Sequence, residues 1–242
     1  YRNMSSLAHY NIGEKFAGIF KISTDAIVRV FNPFFQEKAH EKSLEAKKDI
    51  VRLYYNIAGI YLLGAFTIIC FSEELIKLFT TKEFHQSIYL APLFIFYYLF
   101  GAIMSTIAVN QIMFAKKLIF QLPVSIISII SNISLNIILI PRYGALGAVL
   151  ATAVTALIAD SLLLYFGQRA FPLPLDFRKM VKMFVVIIVF TAPIYYLMFS
   201  DIQILQKITL KILILIIFSF SLFKLSIFSG SFKSLIHQII SK

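Results

Sequence analysis

The stretch "SNISLNIILIPRYGALGAVLATAVTALIADSLLLYF", residues 131 to 166, decides the fold because two apolar runs flank a break of only four residues, "PRYG". Each run has about 20 residues, which at about 1.5 Å per residue crosses a hydrocarbon core of roughly 30 Å. Lipid offers the backbone no hydrogen-bond partner, so each span must be a helix. The stretch therefore predicts two membrane-spanning helices joined by a very tight turn.

Small residues form a stripe on the second of these helices. Gly144 and Ala148 are four residues apart, as are Gly147 and Ala151. Small side chains at this spacing let helix backbones approach closely in lipid. We expect this stripe to pack against a neighbouring helix.

Apolar runs of similar length recur along the whole chain. Hydrophobic residues make up 59% of it, charged residues 14%, and the mean hydropathy is +0.83. This composition predicts an all-α, polytopic bundle of about seven transmembrane helices. The predicted spans are Phe16 to Phe35, Leu53 to Phe71, Ile88 to Phe114, Phe120 to Ile140, Ala145 to Phe166, Phe184 to Phe199, and Ile208 to Phe228.

Lys and Arg are distributed unevenly between the two sides of this bundle. The links after the first, third and fifth spans and the C-terminal tail together hold 14 of them, and the opposite links hold 7. The positive-inside rule makes the richer side, and the C-terminus, cytoplasmic. The net charge of +11 therefore reflects topology. It gives no reason to expect a nucleic-acid partner, because the basic residues lie in short links.

The links predict how the chain is organised. "QEKAHEKSLEAKKDIVR" (36 to 52) is typical of a solvated helix, and "FSEELIKLFTTKEFHQS" (71 to 87) of a short helix in the outer interface. Pro172 and Pro174 mark a break between a five-span bundle, residues 1–170, and two further spans with a tail, residues 171–242. The first residues lack the features of a secretory leader, so we expect the downstream part of a longer protein.

The first predicted span, "FKISTDAIVRVF" (20 to 31), carries Lys21, Asp25 and Arg29 at four-residue spacing. In a helix these residues share one face, within about 80°. A charge at the bilayer centre costs at least about 2.5 to 3.5 kcal/mol, so we expect all three to face protein or water, with Asp25 paired to one or both neighbours. The alternative is a structural triad whose basic ends reach opposite interfaces.

Few other residues suggest chemistry. Asp160 lies in the inner half of the fifth span, where it would be a proton or sodium site or the cap of a neighbouring helix. Cys70 is the single cysteine, and the four histidines are scattered. We expect no catalytic set, no cofactor and no metal, and therefore no enzyme.

Several segments resemble one family in order along the chain. "LNIILIPRYGALGAVLAT" (135 to 152) resembles a signature in the C-terminal lobe of bacterial polysaccharide flippases, the O-antigen and capsule-repeat exporters of the multidrug, oligosaccharidyl-lipid and polysaccharide exporter superfamily. "GEKFAGIFKIS" (13 to 23), "FSEELIKLFTTKEF" (71 to 84) and "VNQIMFAKK" (109 to 117) are similar to other parts of that lobe. The resemblance implies that the spans are helices eight to fourteen of a fourteen-helix transporter whose N-terminal lobe lies outside this chain.

The resemblance further implies a function. The family flips undecaprenyl-diphosphate-linked oligosaccharide across the bacterial cytoplasmic (inner) membrane by alternating access, with Lys21 and Arg29 as diphosphate contacts and Asp25 as their orienter. The implied partners are the lipid-linked oligosaccharide, the bilayer, an N-terminal lobe on the same or a separate chain, and the polysaccharide polymerase machinery. The alternatives are a drug or cation antiporter of the same superfamily, an integral-membrane sugar-lipid transferase, and a remnant that no longer transports.

Overall fold

The computed structural model describes residues 2–228, with side chains from residue 8 onward, and all regular structure in that range is helical. Seven α-helices follow one another: α1 Arg2–His40, α2 Leu44–Phe79, α3 Ala91–Phe114, α4 Gln121–Tyr143, α5 Ala145–Ala170, α6 Phe177–Phe199 and α7 Ile204–Lys224. Two short 3-10 helices, Lys82–Tyr89 and Leu118–Phe120, precede α3 and α4. The chain is therefore an all-α polytopic bundle, as the composition predicts.

Six of the described helices are long and apolar enough to cross a membrane. They are Leu44–Phe79, Ala91–Phe114, Leu118–Tyr143, Ala145–Ala170, Phe177–Phe199 and Ile204–Lys224. Helix α1 covers the first predicted span without a break, although Pro33 lies inside it. It is not among the six, and it is the helix that carries Lys21, Asp25 and Arg29.

The links differ in detail from their prediction. Residues 36–52 form no separate helix, because α1 runs on to His40 and α2 begins at Leu44 after a break of three residues. The predicted interfacial helix over 71–87 is likewise wrong. Helix α2 continues to Phe79, since its charged residues keep helical spacing, and only Lys82–Tyr89 forms a separate 3-10 turn. The break at Pro172 and Pro174 is confirmed by non-helical residues 171–176.

The turn between α4 and α5 is as tight as predicted. Gly144 alone separates the two helices, and it adopts a φ of 56°, a conformation that favours glycine. Three residues later, a Cβ on Gly147 would overlap the carbonyl oxygen of Leu139 on α4. Gly147 therefore lets the α5 backbone lie directly against α4, which confirms the predicted packing role of the small-residue stripe.

The described chain divides into two compact units. Unit 1 takes in the chain through Ala26 together with Ser72–Pro172, and unit 2 takes in Ile27–Phe71 together with the chain from Leu173 on. The boundary at Pro172 falls at the predicted break, but no pattern in the sequence indicates that residues 27–71 group with the C-terminal helices. Whether residues 1–170 form one lobe of a transporter stays a prediction.

Unit 2 has an aromatic core. Phe66 on α2 lies 4.1 Å from Phe218 on α7 and 6.1 Å from Phe190 on α6, measured between ring centroids. Phe66 and Phe218 are fully buried. Helix α7 begins four residues earlier than predicted, which puts Lys207 as well as Lys211 inside the helix. Both lysines are buried, although they are among the seven basic residues counted for the opposite side.

Candidate functional site

A polar cluster in unit 1 is the strongest candidate for a functional site. Its members are Glu14 and Lys21 on α1, Tyr97 and Tyr98 on α3, and Asp160 on α5. Glu14 and Lys21 lie near the two tyrosines because α1 packs on α3. Asp160 lies near them because α5 packs on the same helix. We call these five residues the polar cluster.

The buried face of α1 explains why its polar residues reach α3. Gly13, Ala17, Phe20 and Thr24 recur every three or four residues and are all buried. A Cβ on Gly13 would lie 3.2 Å from the Cβ of Leu90, at the beginning of α3. Since α1 packs this closely on α3, the longer side chains beside its buried face reach the α3 surface.

Tyr98 links the two charged residues of α1. Its hydroxyl donates a hydrogen bond of 3.4 Å to Oε1 of Glu14. The ammonium of Lys21 lies 5.8 Å from the centre of the same ring, a cation–π distance. Glu14 and Lys21 are seven residues apart, about two helical turns, so both lie on one face of α1. The tyrosine thus holds a carboxylate and an ammonium group at separate positions along one helix face.

Helices α3 and α5 pack closely because small residues line their contact. A Cβ on Gly167 would lie 2.9 Å from Cα of Ala108 and 2.7 Å from Oε1 of Gln111. The side-chain amide of Gln111 donates a 2.8 Å hydrogen bond to the carbonyl of Phe171 at the end of α5. Gly101, seven residues before Ala108, also lies against α5. A Cβ on Gly101 would lie 3.2 Å from Oδ2 of Asp160. The two helices therefore run parallel, with matching intervals of seven residues.

Asp160 faces this contact without an ion partner. Its side chain is half-buried, and no hydrogen bond or ion pair to it is present within residues 2–228. Tyr97, one turn from Gly101 along α3, lies within electrostatic range of both Asp160 and Glu14. Carboxyl groups on two different helices therefore lie around the same tyrosine.

Buried hydroxyl groups add to the polarity of α3 and α5. Thr106 and Thr155 are only 3% and 5% exposed, and the hydroxyl of each lacks a hydrogen-bond partner in the described structure. Buried polar atoms are commonly satisfied by ordered water. Helices α3 and α5 therefore carry buried polar groups in addition to their close-packed glycines.

The three charged residues predicted to share one face of α1 lie in different surroundings. Lys21 belongs to the polar cluster, and Asp25, in the same unit, is exposed. The described residues contain no ion pair at Asp25, so the predicted pairing with its neighbours is wrong. Lys21 instead lies over the Tyr98 ring, and the Asp25 side chain is exposed. Arg29 lies in unit 2 and is exposed as well.

The sequence reasoning missed Glu14, Tyr97 and Tyr98. Glu14 stands two residues before the predicted first span, where a carboxylate looks solvated, but α1 begins at Arg2 and carries it into the helix. The signal was the seven-residue interval from Glu14 to Lys21, together with a pair of tyrosines inside an apolar run. Within residues 2–228 no group of His, Cys, Asp and Glu side chains has the arrangement of a metal site.

Comparison with known proteins assigns no family. No protein-family model matches the chain, and neither a curated protein nor a solved structure matches it. The functional argument therefore rests on the residues themselves.

Proposed function

We propose that this chain belongs to a transporter that flips undecaprenyl-diphosphate-linked oligosaccharide across the bacterial cytoplasmic membrane by alternating access. The observation that carries the proposal is the ammonium of Lys21, held 5.8 Å over the ring of Tyr98 and exposed, on a helix that packs among apolar spans. The resemblance of residues 135–152 to polysaccharide flippases supports the same function. Rocking of helical bundles around a midplane site is a common transporter mechanism.

Lys21 and the two tyrosines of the polar cluster have the chemistry that a sugar diphosphate needs. A diphosphate needs cations, and a lysine binds phosphate as a point charge. Sugars present apolar C–H faces that pack on aromatic rings, and Tyr97 and Tyr98 supply two rings whose centroids are 4.5 Å apart. Lys21 would contact the diphosphate, while the tyrosines would contact the first sugar. Arg29, the other exposed basic residue of the predicted triad, is proposed as a second contact and is tested by a variant of its own.

Asp160 is proposed as the residue that couples transport to an ion. A half-buried carboxylate with no partner in the described structure changes its charge whenever a proton or sodium ion binds. Its position against Gly101 would transmit that change to α3, because the helices are close there. Substitution of Asp160 by Asn should therefore slow ion-driven transport more than passive exchange of the substrate.

Complementation tests the proposal. A strain lacking its O-antigen or capsule flippase would receive the full-length protein as wild type, Lys21→Ala or Arg29→Ala, at matched membrane expression. We expect the wild type to restore surface polysaccharide and Lys21→Ala to lower its rate of appearance by about 10- to 100-fold, since a charge-assisted contact contributes roughly 1.5 to 3 kcal/mol. Failure of the wild type itself to restore polysaccharide would contradict the proposed substrate.

A matched control variant distinguishes the effect of the polar cluster from the effect of positive charge elsewhere on α1. Lys15 is an exposed lysine on the same helix, and the described structure contains no contact between its ammonium and the Tyr98 ring. Lys15→Ala should restore polysaccharide as well as the wild type does. Equal defects in Lys15→Ala and Lys21→Ala would show that positive charge on α1 matters and that the polar cluster does not.

One observation favours a second function, a drug or cation antiporter of the same superfamily. Glu14 and Asp160 both act on Tyr97, and an acidic pair of this kind would attract a cation. The two functions differ in their substrate. Vesicles containing the full-length protein should flip a fluorescent undecaprenyl-diphosphate oligosaccharide if the first function is right, and should accumulate an organic cation against a proton or sodium gradient if the second is right.

A further inference from the structure

A second cluster of charged residues lies in unit 2, at the beginning of α6. Arg178, Lys179 and Lys182 occupy the first turns of that helix, immediately after the break at residues 171–176. Basic residues at a helix N-terminus oppose the helix dipole, so the dipole does not stabilise them at this position. Because Arg178 and Lys182 are four residues apart, they lie on one face of α6.

Tyr55 fixes this turn to α2. Its hydroxyl donates a 2.9 Å hydrogen bond to the carbonyl of Asp176 and accepts one of 2.7 Å from the amide of the same residue. The ammonium of Lys179 lies 4.5 Å from the centre of the Tyr55 ring. The beginning of α6 is thus held against α2 by one side chain, and the basic residues that follow it are held in a defined place.

Helix α2 adds further basic residues on the same side. Lys48 and Arg52 lie seven and three residues before Tyr55, so they share its helix face and are exposed. The acids of this region are partly engaged: Asp49 pairs with Arg52 at 3.2 Å, and Asp176 accepts the amide hydrogen of Lys179 as the cap of α6. No ion pair to Arg178 or Lys182 is present in the described chain. Both are exposed and leave a surplus of positive charge.

We infer that this surface, formed by Lys48, Arg52, Arg178, Lys179 and Lys182, binds the phosphate headgroup of an anionic phospholipid. We call it the basic rim. Helix α6 carries no charged residue from Met183 to Phe199 and is long enough to span a membrane, so its first turn lies at headgroup level. Phe177 is 56% exposed, next to Arg178, where its ring would lie beside the bound headgroup and the carbonyl ends of the acyl chains. Basic groups between helices at this level are a common form of headgroup site.

The absence of tryptophan from the chain permits a direct test. Phe177→Trp would place one tryptophan beside the basic rim, in full-length protein in which any tryptophan outside this chain is replaced by phenylalanine. The protein would be reconstituted in vesicles that contain phosphatidylglycerol or phosphatidylcholine brominated near the carbonyl end of an acyl chain, which quenches tryptophan fluorescence on contact. We expect phosphatidylglycerol to bind beside position 177 at least about fivefold more tightly than phosphatidylcholine. This is the effect that one basic residue has at an anionic surface.

A matched position reports on the other end of the same helix. Phe199 is 58% exposed at the end of α6, beside Asp201, and the lysine that follows in α7, Lys207, is buried. A separate Phe199→Trp variant should show about equal binding of the two lipids. A similar preference in both tryptophan variants would mean that the whole protein favours anionic lipid, and it would overturn the inference.

Substitutions then identify the residues. In the Phe177→Trp background, Arg178→Gln with Lys182→Gln should return the ratio of the two affinities to about one, and Arg178→Lys with Lys182→Arg should keep it. Unchanged quenching in the Phe199→Trp background would show that the neutral variant still folds into the bilayer. A preference that survives neutralisation would overturn the inference, as would relief of quenching by inorganic phosphate at the concentration of the lipid phosphate, which would indicate a site for the free ion.

Discussion

The two units bury different kinds of side chain where their helices meet. In unit 1 the contact of α3 with α5 combines glycines with Asp160, and the same unit holds the buried hydroxyls of Thr106 and Thr155 and the polar contacts of Glu14 and Lys21 with Tyr98. In unit 2 the contact among α2, α6 and α7 is built around three phenylalanine rings. Polar groups inside a bilayer are costly, and they persist mainly where they act. The comparison indicates that the helix contact of unit 1 that contains Asp160 has a functional role and that the phenylalanine contact of unit 2 serves stability.

Phe66 gives the largest expected effect on stability. It is fully buried and contacts two other rings, so Phe66→Ala should lower the free energy of unfolding by about 3 to 5 kcal/mol. Denaturation of the purified protein in mixed micelles would measure this. The fraction that remains folded should transport at the wild-type rate per molecule. A lower rate in folded protein would break the division between the two units.

Gly147 gives the next effect, and it tests packing in unit 1. Gly147→Ala should cost about 1 to 3 kcal/mol, because its Cβ would meet the rigid backbone of Leu139. Gly18 is the control, since a Cβ there meets nothing within 4 Å. Gly18→Ala should be neutral or should stabilise the protein by up to about 1 kcal/mol. Equal melting temperatures for the two variants would refute the close approach of α4 and α5.

Substitution of Tyr55 tests the hydrogen bonds between its hydroxyl and the beginning of α6. Tyr55→Phe removes both hydrogen bonds to the Asp176 backbone but keeps the ring under Lys179. We expect a loss of about 1 to 2 kcal/mol, since each net hydrogen bond contributes roughly 0.5 to 1.5 kcal/mol. Hydrogen exchange at the first turn of α6 should rise in this variant, and unchanged protection there would contradict the role given to Tyr55.

The membrane fold was largely predictable, because length and hydropathy alone define a span. Six predicted spans have counterparts among the described helices that can cross a membrane. A tight turn was predicted from Pro141 to Gly144, but α4 continues through Pro141 to Tyr143 and Gly144 alone forms the turn. The ends of the spans were less predictable. Charged residues such as those of Phe71 to Phe79 continue a helix as readily as they end one, so α2 passed its predicted boundary at Phe71.

The candidate site was predictable only in part. Lys21 and Asp160 stood out because a charge in an apolar run is conspicuous. Glu14 did not, since its neighbours in sequence are polar and its partner Tyr98 is 84 residues away. The pairing of Asp25 was predicted wrongly because spacing along one helix does not reveal whether an aromatic ring on another helix competes for the lysine. Such competition depends on tertiary packing, which periodicity does not encode.

Substitution of Tyr98 should have the smallest effect on stability, and it is the most direct test of the comparison between the two units. Tyr98→Phe removes a long hydrogen bond to Glu14, and interhelical hydrogen bonds in membranes average about 0.6 kcal/mol, so unfolding should change little. Transport should nevertheless fall, because Glu14 loses its partner and is free to pair with basic groups on the same helix face. Tyr98→Leu, which also removes the ring under Lys21, should lower transport further. If both variants transport at the wild-type rate while Phe66→Ala does not, the functional region lies in unit 2, and the division of roles drawn from the two helix contacts is reversed.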